Sequence, residues 1–501
     1  MFGFNTAVSG LLASQRALYI TNHNIQNMTT EGYSRQVAKQ RATNPMNLPG
    51  IGFLGTGTEI YDVVRIRDSY VDFKYWNENA PKGEWEVKKE KLMEIEKLFG
   101  EPSNSSFRQY LDDFFTSINE LSKNPSDFSY RQPVKEASLA LTKHINETAK
   151  RLENLRKDTM FSIDTKVKQA NDIAYQISSL NKQIYSLEID GKSANDLRDK
   201  RELLVDNLSK IANVKVDESP EGKYRVSISG VSIVDHDYVS EIEYKREDPT
   251  NADSKRILQW ANGGKLNLKG GELKGLIELV DENGEKGSYR GIPFYQEKLD
   301  EFAREFAKRI NEVHREGYGY KKEEKNKLFF AVDEATGTIP EKTGMTDEEY
   351  KKELNKYYEQ FNATNLTISK DILEDVGNIA VAKDNGNNVE DNTNMLEILA
   401  LREDKNFFSE GMSKGTPDDF IKSLLSNLAV DSMQAQRMDS TQQLIINNIV
   451  KRRQSESGVS ENEEMGNIVK FQHVYTASAR MITTLDTILD VTINRLGLVG
   501  R

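Results

Sequence analysis

Residues 471–496 read FQHVYTASARMITTLDTILDVTINRL. Within them Phe471, Tyr475, Ser478, Ile482, Leu485, Leu489, Thr492 and Leu496 recur at alternating steps of four and three. That is the a/d rhythm of a helix that packs lengthwise against other helices. No Pro or Gly falls between Gly466 and Gly497, so the spacing predicts a helix of about 45 Å at about 1.5 Å per residue. A seam this long needs a partner, and the other end of the chain offers one. Phe4, Val8, Leu11, Gln15, Leu18, Asn22 and Ile25 step at the same interval. Asn5 is placed to cap that helix, and Gln15 and Asn22 are polar seam positions that set register at some cost in stability. Both termini read as coiled-coil strands, with the rest of the chain looped between them.

The strings beside these seams are more specific. Residues 22–36 read NHNIQNMTTEGYSRQ and residues 457–480 read SGVSENEEMGNIVKFQHVYTASAR. The first resembles the A-N-N-I-A-N-x-x-T-x-G-Y/F signature near the N-terminus of bacterial flagellar rod, hook and hook-associated proteins. The second resembles the C-terminal E-M-x-N-x-x-x-Q-x-x-Y-x-x-x-A-R run of the same group. Residues 32–36 (GYSRQ) and 457–460 (SGVS) are similar to the hook-associated protein 1 family in particular, because hook and rod proteins more often carry Phe-Lys after that glycine. Residues 194–201, ANDLRDKR, also resemble this family. His23, Gln26, Met28, Glu31 and His473 depart from the common pattern without breaking either heptad.

The resemblance implies a structural adaptor with no cofactor and no enzymatic activity, assembled helically between flagellar hook and filament. Export through the flagellar secretion channel would carry it from the cytoplasm to an extracellular position. The partners implied are further copies of itself in a ring, the hook protein and the next hook-associated protein. An export chaperone holding the C-terminal amphipathic segment in a groove is a fourth. The assembly interface would be built from Leu11, Leu12, Leu18, Ile25, Phe471, Tyr475, Ile482, Leu485, Leu489 and Leu496. Alone, these seams have little to bury, so the termini are expected to be disordered or loosely helical in the monomer. A hook or rod subunit is the alternative within the group. An enzyme carried on a flagellar scaffold is the reading from another class, and Asp235-His236-Asp237 is the trio it would use.

Composition sets outer bounds. The chain has 501 residues, 68 basic against 79 acidic, and no cysteine. There is no basic excess to mark a nucleic-acid partner, and disulfides and thiolate metal sites are excluded. No Sec-type signal pattern follows Met1, and no run of ~18 apolar residues predicts a membrane span. His23, His144, His236, His314 and His473 show no metal-ligand spacing. Gly50-Ile-Gly-Phe-Leu-Gly55 matches GxGxxG, but Pro49 precedes it and strand-like residues follow, so the glycines read as turns. Lys451-Arg-Arg453 is too short for a nucleic-acid footprint. Glu461, Glu463 and Glu464 suit the positive end of the last helix dipole.

The fold class predicted is mainly α with an inserted small β domain, in a nested order. Residues 1–65 plus 440–501 form a terminal coiled-coil domain, and 66–212 plus 273–439 a helical bundle. Within the bundle, the charged segment 321–360 reads as a solvated, partly helical insertion. Residues 213–272 form the β domain, where Val214/Val216, Tyr224/Val226/Ile228, Val231/Ile233 and Ile257–Trp260 alternate at period two. Val134 to Leu187 lacks Gly and Pro, but its apolar register slips near 157–162, predicting a stutter or a bend. Gly191 ends that helix, and Ser193 with Asp196 is arranged as a capping box for the next.

Overall fold

The computed structural model of the chain describes residues 2–50, 52–99, 106–247, 250, 255–321, 327–332, 346–384, 388, 390–408 and 415–495. Cα proximity divides it into two compact units, Met1–Glu84 with Thr165–Lys274 and Ser440–Arg501, and Trp85–Asp164 with Gly275–Asp439. The architecture is mainly α, with small sheets inserted between helices.

The chain opens on α1 (Phe2–Gln26), so Asn5 lies inside the helix rather than capping it. A β ribbon follows, of β1 (Gln36–Ala42), β2 (Met46–Leu48), β3 (Gly52–Leu54) and β4 (Thr58–Arg65). β1 pairs antiparallel with β4 across a register shift at Lys39/Gln40, and β2 pairs with β3. Of the GxGxxG string, Gly50 lies in the turn of that inner hairpin and Gly52–Leu54 are its second strand, β3. Gly50 and Gly52 take φ of 86° and 99°, the left-handed region that glycine enters without strain. Gly57 serves a close approach instead, since a Cβ there would lie 1.9 Å from Ser9 Oγ on α1.

Next come α2 (Ser69–Phe99), α3 (Phe107–Lys123), α4 (Arg131–Leu187) and α5 (Asn195–Ile211). α4 runs 57 residues without interruption. Its buried positions step by four three times in succession, from Leu155 through Thr159 and Ile163 to Val167. The predicted register slip is therefore a stutter absorbed inside one helix, with Thr159 Oγ1 donating to the Leu155 carbonyl at 2.7 Å. Ser193 does not cap α5. Ala194 holds that position with no side-chain cap, and its own N–H donates to Glu188 Oε1 at 2.8 Å.

A meander of β5 (Val214–Glu218), β6 (Tyr224–Ile228), β7 (Val231–Asp235) and β8 (Tyr238–Val239) forms a four-stranded sheet, and β9 (Ile242–Arg246) pairs with β10 (Arg256–Trp260). Val214, Tyr224, Val226, Ile228 and Ile233 are buried as the alternation predicts. Val231 is exposed, at the first position of β7 beside the Ser229-Gly230 turn.

The remaining elements are α6 (Glu272–Asp281), α7 (Ile292–His314), β11 (Phe330–Val332), α8 (Asp347–Tyr358), β12 (Leu366–Ile368), α9 (Lys370–Glu374), α10 (Thr393–Ala400), α11 (Pro417–Ser457) and α12 (Glu461–Asp490). The 321–360 segment is not simply a solvated insertion. Leu328, Phe329, Phe330 and Ala331 are fully buried, as is Tyr358 at the end of α8, and β11 pairs with β12. They belong to the core of the second unit, where Phe107, Phe114, Phe302, Phe306, Phe330 and Phe407 pack ring against ring. The Phe107 and Phe302 centroids lie 5.1 Å apart, edge to face, and Phe302 stacks on Phe306 at 5.4 Å. Such pairs add about 0.5–1.5 kcal/mol beyond their area burial.

Candidate functional site: the terminal helix pair and its polar clasp

Small residues let α1 and α12 approach closely. A Cβ on Gly3 would meet Leu485, and one on Gly10 would lie 3.1 Å from Ser478 Oγ. With Asn24 reaching Glu464 at 3.3 Å, these pairings run in opposite directions along the chain, so the helices are antiparallel. The buried stripe of α1 is Ala13, Ser14, Ala17, Thr21 and Asn24. Its hydroxyls are satisfied locally, Ser14 to the Gly10 carbonyl at 2.6 Å and Thr21 to Ala17 at 3.0 Å.

The large seam predicted on α1 is therefore not the face packed inward. Leu11, Leu18 and Ile25 flank the small-residue stripe and are half-buried, while Leu12 is exposed. On α12 the predicted seam does face α1, yet Phe471, Ile482 and Leu485 are only half-buried, and Tyr475 and Leu489 are exposed. Leu496 lies outside the described residues. Met465, Val469, Val474, Met481, Ile488 and Ile493 also stand exposed along the C-terminal segment. The termini, expected to be disordered or loosely helical, lie as a helix pair with much of its apolar surface left open.

One end of the pair is held by polar groups. Asn24 Oδ1 accepts from the Gln36 N–H at 3.0 Å and the Tyr33 hydroxyl at 2.8 Å, and its Nδ2 donates to the Gln36 carbonyl at 2.9 Å. Asn24 thus reads the Gln36 backbone as a neighbouring peptide would. Arg35 joins the two chain ends, with Nε on Glu464 at 2.7 Å, Nη1 on Glu463 at 2.8 Å, and its N–H on the Ser457 carbonyl at 2.9 Å. Glu464 is buried, so it does more than complement the helix dipole.

The clasp continues into α5. Gln36 Nε2 donates to Asp196 at 2.7 Å, Asn195 Nδ2 to the Val63 carbonyl at 2.8 Å, and the Ser34 N–H to Asp199 at 2.9 Å. Arg65 holds Asp199 and Glu202, and Arg67 holds Asp72 and Glu202. Arg453 donates to Asp72 at 2.6 Å and to both oxygens of Asp206, which gives the short Lys-Arg-Arg run a structural role. Burial lifts the Asp199 and Asp206 carboxyls above the usual range despite the arginines beside them. At Glu202 burial acts the same way, but Arg67 and Arg65 outweigh it and the net shift is downward. Burial, with Asp196, Asp199 and Glu464 nearby, raises the Tyr33 phenol. Removing one partner would leave a buried charge uncompensated, so the network fixes a single arrangement more than it adds stability.

Three stretches far apart in sequence, 22–36, 194–202 and 453–464, thus meet in one network. Comparison with known proteins finds family matches over the second and third of these stretches. The flagellar hook-associated protein FlgK helical domain family matches residues 92–330, and the flagellar basal body rod FlgEFG protein C-terminal family matches residues 452–496. Flagellar hook-associated protein 1 of Bacillus subtilis (strain 168) is 30% identical over 530 aligned residues, covering 100% of this chain and 99% of its own. The chain belongs to the flagellar hook-associated protein 1 family. The Escherichia coli (strain K12) hook-associated protein 1 is 26% identical, over 98% of this chain and 99% of its own. The solved structure of the flagellar hook junction protein FlgK from Burkholderia pseudomallei shares the fold, with a TM-score of 0.61 at 14% identity, covering 77% of this chain and 100% of that one.

As a hook-associated protein 1 family member, the chain is a flagellar axial structural protein. Among the described residues there is no group of side chains spaced to hold a metal, and no helix long and apolar enough to cross a membrane. His23 and His473 are not brought together. His23 turns to Asp196 at 3.4 Å and to Asn27, while His473 is exposed. His236 sits in the β7–β8 turn at φ 55°, and Asp235 is paired with Arg225 at 3.1 Å. Sequence reasoning missed Asn24, Arg65, Arg67 and Asp199 as a unit. Asn24 lies inside the N-terminal motif, and that was the available signal.

Proposed function

We propose that this chain assembles helically as the junction between flagellar hook and filament, reaching its extracellular site through the flagellar export channel. The observation that carries this is a helix pair locked at its polar end and apolar on its open faces. Helical, non-closing contacts between copies would cover those faces. Residues 1–65 plus 440–501 would do the joining, and Leu11, Leu12, Leu18, Ile25, Phe471, Tyr475, Ile482, Leu485, Leu489 and Leu496 would meet neighbouring copies, the hook protein and the next hook-associated protein. Residues 66–212 plus 273–439 would form a helical domain carrying 213–272 as its β insert. Before export, a chaperone would hold α12 by its amphipathic face.

Electron microscopy of cells lacking the gene, with flagellin assayed in the medium, tests the position. Completed hooks without filaments, and free flagellin outside, are expected. Missing hooks would move the chain to the rod or hook, and normal filaments would remove the junction reading.

A further inference from the structure

One buried arginine of the second unit stands apart from those of the clasp. Arg65, Arg67 and Arg453 each hold carboxylates. Arg201, also buried, lies over the Tyr224 ring at 3.6 Å and near Glu218. Arg131, at the first position of α4, is 2% exposed and pairs with no carboxylate among the described residues. Its Nη1 donates to the Ile379 carbonyl at 2.6 Å, its Nε has no partner, and its guanidinium sits 5.4 Å from the Tyr320 ring centroid. Burial draws its pKa down to about 10, with Tyr320 and Asp375 opposing. A guanidinium withdrawn from water without a counter-charge is costly.

The same arginine lines a cavity of about 180 Å³ with Tyr320, Ala382, Asn388 and Asp391. That space is several times what one water occupies. Asp391 is the one carboxylate on its lining among the described residues, and its oxygens are already engaged. Oδ2 accepts the Lys383 and Asp384 N–H groups at 3.0 Å, and Oδ1 accepts the N–H and hydroxyl of Thr393. Asp391 is therefore committed to its own turn and does not reach for Arg131. The cavity holds an unmatched, fork-shaped donor and room for a polyatomic partner. The positive end of a 57-residue helix adds the same sign of field.

We propose that this cavity binds a small oxyanion, phosphate or a carboxylate, with Arg131 as its charged anchor. Guanidinium geometry suits two oxygens at once, which a halide does not offer. The site is independent of the assembly role argued above. Titration calorimetry of the full chain with inorganic phosphate and with acetate, at ionic strength matched by chloride, tests it. Saturable binding of either oxyanion is expected, accompanied by a shift of the Arg131 Nε–H resonance. Arg131→Gln should weaken it by at least about tenfold, because charge-assisted contacts are the strong ones. Asn388→Asp, which adds a negative charge to the lining and leaves Arg131 in place, should weaken it too and covers the case in which Arg131→Gln fails to fold. No binding of either anion, or unchanged affinity in a folded Arg131→Gln chain, would overturn the proposal.

Discussion

The aromatic core of the second unit and the terminal helix pair of the first use apolar residues in opposite ways. In the core, Phe107, Phe302, Phe306 and Phe330 are fully buried and meet one another within the chain. In the pair, α1 turns its small residues inward and leaves Leu12 and Tyr19 outside, while α12 exposes Met481, Ile488 and Ile493. One region has completed its burial. The other has completed only its polar end, at Asn24, Arg35 and Glu464, and leaves much of its apolar surface exposed. On the assembly role proposed above, stability and assembly would rest on different residues and could be perturbed separately.

The largest effect is expected where burial is complete. Phe306→Ala should cost about 3–5 kcal/mol by chemical denaturation, since the cavity it leaves is walled by other rings. The α1–α12 pair should keep its hydrogen-exchange protection in this variant. Joint loss would mean that the two regions do not hold their stability separately.

The next effect falls on the clasp. Glu464→Ala strips Arg35 and Asn24 of a buried partner, and such losses run to about 3 kcal/mol. Hydrogen exchange should show the amides of residues 10–28 opening, while those of α7 stay protected. In the unaltered chain, protection along α1 should fall from Asn24 toward Gly3, because the buried stripe ends near Ala13.

The same contrast explains what could be read from sequence. Long amphipathic helices, the β insert and the unbroken α4 were legible because period and Gly/Pro punctuation are local signals. The α12 seam was legible too, since Phe471, Ile482 and Leu485 are its large apolar positions. The packed face of α1 was not, because Gly10, Ser14, Ala17 and Thr21 lie one step from a more conspicuous row of leucines. Close approach depends on what is small, and hydrophobic periodicity does not count it. The clasp is assembled from residues as far apart as Asn24 and Glu464. The motifs marked its position, but only the fold shows that Arg65, Arg67 and Arg453 share its carboxylates. Phe329 and Phe330 were masked by their charged neighbours in 321–360.

A smaller effect is set by pH in the second unit. His314 is fully buried, its Nδ1 donating to the Lys327 carbonyl at 2.8 Å and its Nε2 accepting the Ala380 N–H at 2.9 Å. This fixes the neutral tautomer, and burial lowers its pKa to about 4. The unfolded chain takes up the proton near pH 6.5 while the folded chain refuses it. The stability contributed is thus intact above about pH 6.5 and is lost as pH falls toward about 4. Between pH 7 and 5 the expected loss is about 2 kcal/mol. Denaturation midpoints at the two pH values measure it, and His314→Gln should flatten the difference. An equal pH dependence in that variant would assign it elsewhere.

The smallest effect on stability should accompany the largest effect on assembly. Leu12→Ser and Ile488→Ser alter side chains 47% and 55% exposed, so each should change the unfolding free energy by no more than about 0.5 kcal/mol. The core has no residues of this kind, since there exposure and apolar character do not coincide. If these faces are where other copies or other axial subunits attach, swimming motility and filament attachment in complemented cells should fall sharply while the secreted protein stays folded. Glu403→Ser, at an exposed polar position of the second unit, serves as the control and should leave both unchanged. Normal motility in both variants would show that the open apolar surface of the pair at Leu12 and Ile488 is not what holds the structure together. The exposed apolar side chains Met481 and Ile493 would then be the next to alter.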